Sequence, residues 1–193
     1  MADAEESLNY YPNEEYLRRN WAPEKAPVAS LRALANAQRQ AAQAKIFSPF
    51  LADKFLPNAL VEGRLAERPG DHYGPGTRAD FGFNSLLVPR NPDIDRQMAQ
   101  MGVGDGIYYE NRPEFPSGYQ QKPTTSTEDR AKMAAITLGQ KAKLYGDDLA
   151  IERWNGIGPG AKAHVQKVNE MMRMLRHPKN QALFDAYQRM LSE

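Results

Sequence analysis

Two carboxylic acids, Glu62 and Asp80, are the residues best suited to do chemistry. Glu62 ends an apolar segment that we predict to be a helix, and the negative helix end and a partly dry setting both disfavour its ionised form. A carboxyl that stays protonated near neutral pH can serve as a general acid. Asp80 follows a loop rich in Gly and Pro, which lets the chain reverse and bring the second acid across a cleft. Two facing carboxyl groups are the arrangement that breaks glycosidic bonds, although a Glu at a helix end is more often an exposed surface residue.

Composition excludes several other kinds of chemistry. The chain of 193 residues has no cysteine, which excludes disulfides, thiolate nucleophiles and Cys-ligated zinc. Its three histidines, His72, His164 and His177, are too scattered along the sequence to predict a metal site. The glycine-rich stretch 102–106 lacks the Gly-Lys-Ser/Thr ending of a phosphate-binding loop. We therefore predict a protein without a metal or a cofactor.

Charge and hydropathy exclude two classes of partner. The formal net charge of +1, from 25 Lys and Arg against 24 Asp and Glu, gives no sign of nucleic-acid binding. The mean hydropathy is −0.70, and no apolar run approaches the roughly 18 residues of a membrane-spanning helix. The first residues are acidic and lack the basic-then-apolar pattern of a secretory signal, so we expect no export by the general route.

The positions of the two candidate acids would be set by helices that lie before and after a turn-rich central stretch. Apolar residues at helical spacing predict a buried helix over 50–62, which Gly63 would end. Residues 63–127 are rich in Gly and Pro, so turns, short strands and irregular loops are expected there. Helices resume at Thr127 and continue to the C-terminus. On the first of them, one narrow apolar stripe is predicted, formed by Ala131, Ala135, Leu138, Ala142 and Tyr145.

The N-terminal quarter differs from the rest in composition. Residues 1–27 are rich in Tyr, Pro and Glu and predict an extended or disordered arm. Residues 28–49 predict a helix with many Ala and Gln but few large apolar side chains. Such a weak stripe favours packing on a partner or on another subunit, so we predict a docking helix. Residues 50–193 then form the remaining domain.

The order of these features resembles the lysozyme and lytic transglycosylase superfamily. In that superfamily a helix ends in the catalytic Glu, which Glu62 matches. A β-hairpin lobe follows and often carries Asp-(Tyr/Phe)-Gly, which Asp80-Phe81-Gly82 matches. A late motif of the superfamily has a helix ending in Ala-x-x-x-Tyr-Asn-x-Gly and then a Gly-rich turn. Residues 150–160 resemble that motif, with Trp154 in place of the Tyr.

The resemblance implies a fold and an activity. The fold is α+β and mainly α, with a lysozyme-like helical lobe, a small turn-rich β-hairpin lobe, and the N-terminal arm and helix before them. The activity is cleavage of the β-1,4 bond between N-acetylmuramic acid and N-acetylglucosamine in peptidoglycan, by a lytic transglycosylase (slightly favoured) or a hydrolytic muramidase. Glu62 would be the general acid. Asp80 would stabilise the sugar cation in a hydrolase, whereas in a transglycosylase the 6-hydroxyl of muramic acid attacks instead.

Several side chains are expected to contact the glycan strand: Phe81, Asn84, Tyr108, Tyr109, Trp154 and Asn155. Packing is an equally open use for the two tyrosines, because aromatic side chains supply much of the burial where helices are lacking. For Trp154, a place in the core is favoured over a ligand contact.

The departures from the superfamily pattern leave a second function open. Gly63 stands where the superfamily usually has Ser, and no Gln follows Gly82 at the expected place. A structural or assembly protein that kept the fold and lost activity is therefore the alternative. Because peptidoglycan lies outside the cytoplasm, we expect a phage virion component that acts in the host periplasm or cell wall. Residues 1–49 would then bind other virion proteins or a second copy of the chain.

Overall fold

The described part of the chain is mainly helical. The computed structural model describes residues 6–63, 88–89, 91–103, 107–112, 115–121 and 126–193. Within these ranges the helices are α1 (Glu14–Arg18), α2 (Val28–Gln43), α3 (Pro49–Gly63), α4 (Pro92–Gln100), α5 (Thr127–Tyr145), α6 (Asp147–Trp154), α7 (Pro159–Leu175), a 3-10 turn (Pro178–Asn180) and α8 (Gln181–Ser192). The predicted α+β, mainly α class is confirmed at this level. No helix in the described ranges is long and apolar enough to cross a membrane.

Two small antiparallel sheets accompany the helices in the described ranges. The first pairs β1 (Ser7–Tyr10) with β2 (Glu24–Pro27). The second has the order β3-β5-β4, with β3 at Val88–Pro89, β4 at Ile107–Arg112 and β5 at Phe115–Gln121. A register shift between Glu110 and Arg112 interrupts the pairing of β4 with β5. Short strands in the Gly- and Pro-rich centre are thus confirmed.

Helix α5 lies at the centre of the helical body. It begins at a Ser126 cap, whose Oγ accepts a hydrogen bond from the Asp129 backbone N–H at 3.1 Å, and it ends at Gly146 with φ of +87°. Residues 133–139 are buried without interruption, which places every face of this part of the helix in the core. The predicted single narrow stripe is therefore wrong. Small side chains on several faces let α2, α4 and α6 all pack against the helix.

Helix α4 is not predicted from the sequence, because it lies within the Gly- and Pro-rich stretch 63–127. Its local signals are nevertheless regular, since Pro92 begins the helix and the Asn91 side chain accepts a hydrogen bond from the Ile94 N–H at 2.9 Å. Gln140 and Lys143 on α5 donate to the Asp93 carboxylate at 2.8 and 2.5 Å. These two hydrogen bonds hold the pKa of Asp93 below its ordinary value and join α4 to α5.

Residues 6–27 are folded, so the predicted extended or disordered arm is wrong for the described part of the segment. Strands β1 and β2 pair from Ser7 with Pro27 to Tyr10 with Glu24, and α1 lies in the connection between them. Tyr10 is fully buried in the core. The burial of this aromatic side chain offsets part of the entropy lost when the segment becomes ordered.

The apolar face of α2 also lies inside the chain's own core, which corrects the expectation that this stripe packs on a partner or on another subunit. Leu31 and Leu34 are fully buried, together with Ala33, Ala35, Ala37 and Ala41. Helix α2 packs against both α5 and α8. Burying a leucine side chain contributes about 1.5–3 kcal/mol, and the alanines allow close approach of the neighbouring helices. An apolar stripe that consists largely of Ala is therefore sufficient to bury a helix where it packs closely against its neighbours.

Candidate functional site

Glu62 lies on the last turn of α3, at the edge of the core. Its side chain is 21% exposed, and Oε1 lies 3.3 Å from Nδ1 of His164 on α7. The C-terminal end of a helix carries partial negative charge, which opposes an ionised carboxylate at this place. Glu62 is thus a partly accessible acid in contact with an imidazole.

The end of α3 is held in place by burial of its apolar side chains. Phe55, Leu56, Ala59 and Leu60 are each at most 2% exposed. The predicted buried helix is therefore confirmed, with Pro57 accommodated inside it. Because α3 packs along α7, the side chains on this shared face are fixed relative to each other.

His164 is enclosed between two side chains of α3. Its Nε2 lies 2.8 Å from Oδ1 of Asn58, and Asn58 is only 1% exposed. Burial lowers the pKa of His164, and the positive charge of Lys167 lowers it further. The imidazole is therefore neutral at neutral pH, with one nitrogen bonded to an amide and the other turned to the Glu62 carboxyl.

Asn58 and His164 are parts of the site that the sequence did not predict. Asn58 precedes Glu62 by one helical turn, so the two side chains share a face of α3, and this spacing was an available signal. His164 gave no comparable signal, because its contact with α3 depends on how α7 packs against that helix.

The predicted partner acid and two of the predicted sugar contacts lie outside the described residues. These are Asp80, Phe81 and Asn84. Tyr108 and Tyr109 lie on β4, where they pair with Gln120 and Tyr119 of β5. The groove between Glu62 and Asp80, and the sugar contacts of the tyrosines, therefore stay predictions.

The late motif lies where α6 ends and α7 begins. Trp154 is the last residue of α6, is 4% exposed and belongs to the hydrophobic core. This position agrees with the packing role of the indole rather than with an open sugar contact. Asn155 is exposed, and its amide donates to the Gly160 carbonyl at 3.4 Å across the turn. Asn155 is thus accessible to a ligand, and its contact with sugar stays a prediction.

No set of three or more His, Asp or Glu side chains converges into a candidate metal site in the ranges that the structure describes. The chemistry available at the α3–α7 contact is proton transfer, since a carboxyl and a neutral imidazole are both able to give or take one proton.

Comparison of the chain with protein-family models, with curated proteins and with solved structures found no match. The relation to the lysozyme and lytic transglycosylase superfamily is therefore a resemblance of motifs.

Proposed function

We propose that this protein cleaves the β-1,4 glycosidic bond between N-acetylmuramic acid and N-acetylglucosamine in peptidoglycan, with Glu62 as the general acid. The observation that carries the proposal is the partly exposed Glu62 carboxyl at the end of a buried helix, in contact with the buried imidazole of His164. The resemblance of the motifs around Glu62, Asp80 and Trp154 supplies the substrate class.

In this reaction Glu62 gives its proton to the glycosidic oxygen while positive charge develops on the sugar ring. In a hydrolase, Asp80 stabilises that charge or bonds to the sugar, and water completes the reaction. In a lytic transglycosylase, the 6-hydroxyl of the muramic acid attacks, and Glu62 takes up its proton. We slightly favour the transglycosylase route because residues 154–156 resemble the late motif of that group.

The proposed setting is a phage virion that opens the host cell wall. The weak apolar stripe of α2 does not support this setting, because α2 and the strands β1 and β2 pack into the chain's own core. The setting now depends on the resemblance alone. We retain peptidoglycan as the proposed partner and propose no binding to nucleic acid.

A structural or assembly protein with a lysozyme-like fold is the second candidate. The observation that favours it is the bond between Asn58 and His164, which joins α3 to α7 inside the core. A buried pair of polar side chains with satisfied hydrogen bonds also occurs where only the fold is maintained.

Digestion of purified peptidoglycan, with the products identified by mass spectrometry, separates these functions. We expect soluble fragments with anhydromuramic ends from a transglycosylase and with reducing ends from a hydrolase. Glu62→Gln should lower the rate by about 10²–10⁴-fold, the usual contribution of a general acid. The same change at Glu15, on α1 and 44% exposed, should leave the rate unchanged.

The result also distinguishes the two candidates and the two routes. Absence of fragments from the wild type would favour the structural role. Equal rates for the wild type and Glu62→Gln would contradict the assignment of the acid. An unchanged rate in Asp80→Asn would remove the two-carboxylate scheme and favour the internal hydroxyl route.

A further inference from the structure

We propose that His164 is a positioning residue for Glu62, and that Asn58 fixes its tautomer so that an unprotonated Nδ1 faces the Glu62 carboxyl. The inference concerns where the protons of His164 and Glu62 lie, and only its consequence for catalysis depends on the proposed function. Nε2 of His164 lies 2.8 Å from Oδ1 of Asn58, and Nδ1 lies 3.3 Å from Oε1 of Glu62.

The hydrogen-bond partners of the His164 ring determine which of its two nitrogens carries the proton. A neutral imidazole carries one proton, on either Nε2 or Nδ1. The Asn58 Oδ1 atom can only accept, so Nε2 carries the proton and donates it to Asn58. Nδ1 is then left with its lone pair directed towards Glu62. His164 stays neutral because burial lowers its pKa.

The lone pair of Nδ1, 3.3 Å from Oε1 of Glu62, interacts differently with the ionised and the protonated carboxyl. An ionised Glu62 would bring a negative oxygen against the electron pair of Nδ1, which is unfavourable. A protonated Glu62 has an O–H group that Nδ1 can accept. The electrostatics of the pair therefore favour the acid form, the form that a general acid must have before it acts.

The three side chains are arranged on rigid elements. Asn58 and Glu62 are one turn apart on α3, and His164 reaches both from α7. Asn58 is 1% exposed and His164 5% exposed, so water does not compete for the bond between them. The Glu62 carboxyl is thereby held beside Nδ1 at the helix end, where catalysis requires a proton with a fixed direction.

The tautomer can be measured without any substrate. In the ¹⁵N-labelled full chain at neutral pH, two-bond ¹H–¹⁵N spectra distinguish a protonated from an unprotonated ring nitrogen. The chain has three histidines, and the signals missing from His164→Gln identify His164. We expect a protonated Nε2 and an unprotonated Nδ1. A protonated Nδ1 at neutral pH, in either the neutral ring or the doubly protonated ring, would overturn the inference.

Glu62→Gln provides the matched control. The Gln amide can donate to Nδ1 as a protonated Glu does, so the tautomer of His164 should be the same in this variant as in the wild type. The Gln carbonyl can also accept from a protonated Nδ1, so the wild-type spectrum tests which nitrogen carries the proton, and the variant tests whether the tautomer depends on the charge at position 62. A change of tautomer between the two proteins would therefore contradict the inference.

The catalytic consequence has its own measurement. Asn58→Ala removes the acceptor that fixes the tautomer, and we expect kcat on peptidoglycan to fall at least about tenfold with little change in KM. An unchanged kcat would overturn the positioning role. The expected tautomer in a protein without glycan cleavage would refute the proposed function and leave the proton arrangement standing. Glycan cleavage by a protein whose His164 carries its proton on Nδ1 would support the proposed function and refute the proton arrangement.

Discussion

At the scale of single residues, His164 combines a titratable ring with almost complete burial. It is 5% exposed and has a partner at each ring nitrogen, Asn58 at Nε2 and Glu62 at Nδ1. Removing an imidazolium from water is costly, and Lys167 adds repulsion to that cost. The pKa of His164 is thus lowered in the folded protein, which makes the residue a source of pH-dependent stability.

In a Glu62→Gln background, which removes the titration of the neighbouring carboxyl, we expect the free energy of unfolding to fall as the pH drops below about 6.5, the ordinary pKa of His. The folded-state pKa is lowered, so the unfolded chain binds a proton that folded His164 resists, and stability rises with pH. His164→Gln removes this component. The loss of stability between about pH 7 and about pH 5 should be smaller in the variant, by at most about 1.4 kcal/mol per pH unit, the limit for one proton. Urea unfolding at several pH values measures this, and equal pH dependence in both proteins would contradict it.

How much of the site can be predicted from sequence differs from residue to residue. Glu62 can be singled out because it ends an apolar helix, where the negative helix end and a partly dry setting disfavour an ionised carboxylate. Asn58 is detectable only through its spacing from Glu62 on one helix face. His164 is not detectable, because its role comes from the packing of α7 on α3. Helical periodicity indicates which face is buried and does not indicate what that face contacts.

At the scale of elements, one contact between α5 and the segment after α2 is closer than any side chain allows. A Cβ atom added at Gly139 would lie 2.3 Å from Cγ2 of Ile46. Lys45 has a left-handed φ of +57°, and the Ile46 N–H donates to the Ala41 carbonyl at 2.8 Å. The chain reversal that ends α2 therefore seats Ile46 on the glycine of the central helix.

Gly139→Ala should destabilise the protein. The added methyl group forces Ile46 or α5 to move, and such overpacking costs about 1–3 kcal/mol. Alanine regains roughly 1 kcal/mol in helix propensity, and because Cγ2 is fixed next to the Ile46 backbone we expect a net loss of up to about 2 kcal/mol in the free energy of unfolding measured in urea. Gly160→Ala on α7 is the matched control, because no atom lies within 4 Å of its added Cβ, and it should lose no stability.

A second substitution identifies the cause of that loss. Ile46→Ala removes the atom that clashes, so adding Gly139→Ala to this variant should cause no further loss. Strong coupling between the two positions is expected, since they are in direct contact. A Gly139→Ala protein as stable as the wild type would show that the close approach does not constrain the core.

The elements differ in how well sequence reveals them, for a physical reason. Helix α3 and the helices from Thr127 onward are predictable because capping residues, Gly and Pro mark helix ends, and those signals are local. Helix α4 has the same kind of cap at Asn91, yet the surrounding Gly and Pro residues obscured it. The burial of α2 was missed because an alanine-rich face gives little hydrophobic contrast, although it suits close helix packing.

At the scale of the whole molecule, the two ends of the chain are tied together by Asn180. This side chain is fully buried between the 3-10 turn and the N-terminal segment. Its Oδ1 accepts from the Tyr11 N–H at 2.7 Å, and its Nδ2 donates to the carbonyls of Tyr11 and Met174 at 3.0 and 2.9 Å. Arg39 on α2 donates to the Met190 carbonyl on α8 at 3.1 Å.

These contacts join the predicted arm and docking helix to the C-terminal helices in one core. Composition could not indicate this, because Asn180 and Tyr11 are separated by most of the chain and neither is unusual locally. A change in composition shows where one type of sequence gives way to another. A structural unit is instead defined by side chains that are buried in the same core. Residues 6–43 and α8 share such burial.

Asn180→Ala should therefore destabilise the whole molecule. It removes hydrogen bonds to three backbone groups, and each buried group left unsatisfied costs about 1–3 kcal/mol, so we expect a loss of at least about 2 kcal/mol. Asn155→Ala is the control, because Asn155 is exposed and its loss should stay within about 0.5 kcal/mol. The free energy of unfolding in urea, followed by circular dichroism, measures both changes.

The two tryptophans test whether the N-terminal segment unfolds with the rest. Trp21 lies between α1 and β2, and Trp154 ends α6, so Trp154→Phe leaves fluorescence from the N-terminal segment alone. Because Tyr10 and Asn180 anchor that segment in the core, its fluorescence should change at the same urea concentration as the helical circular dichroism, as a single cooperative transition requires. Adding Asn180→Ala should move both signals together to lower urea. An earlier transition of Trp21 in the parent would show that residues 6–27 unfold as an independent arm, in contradiction to the shared core.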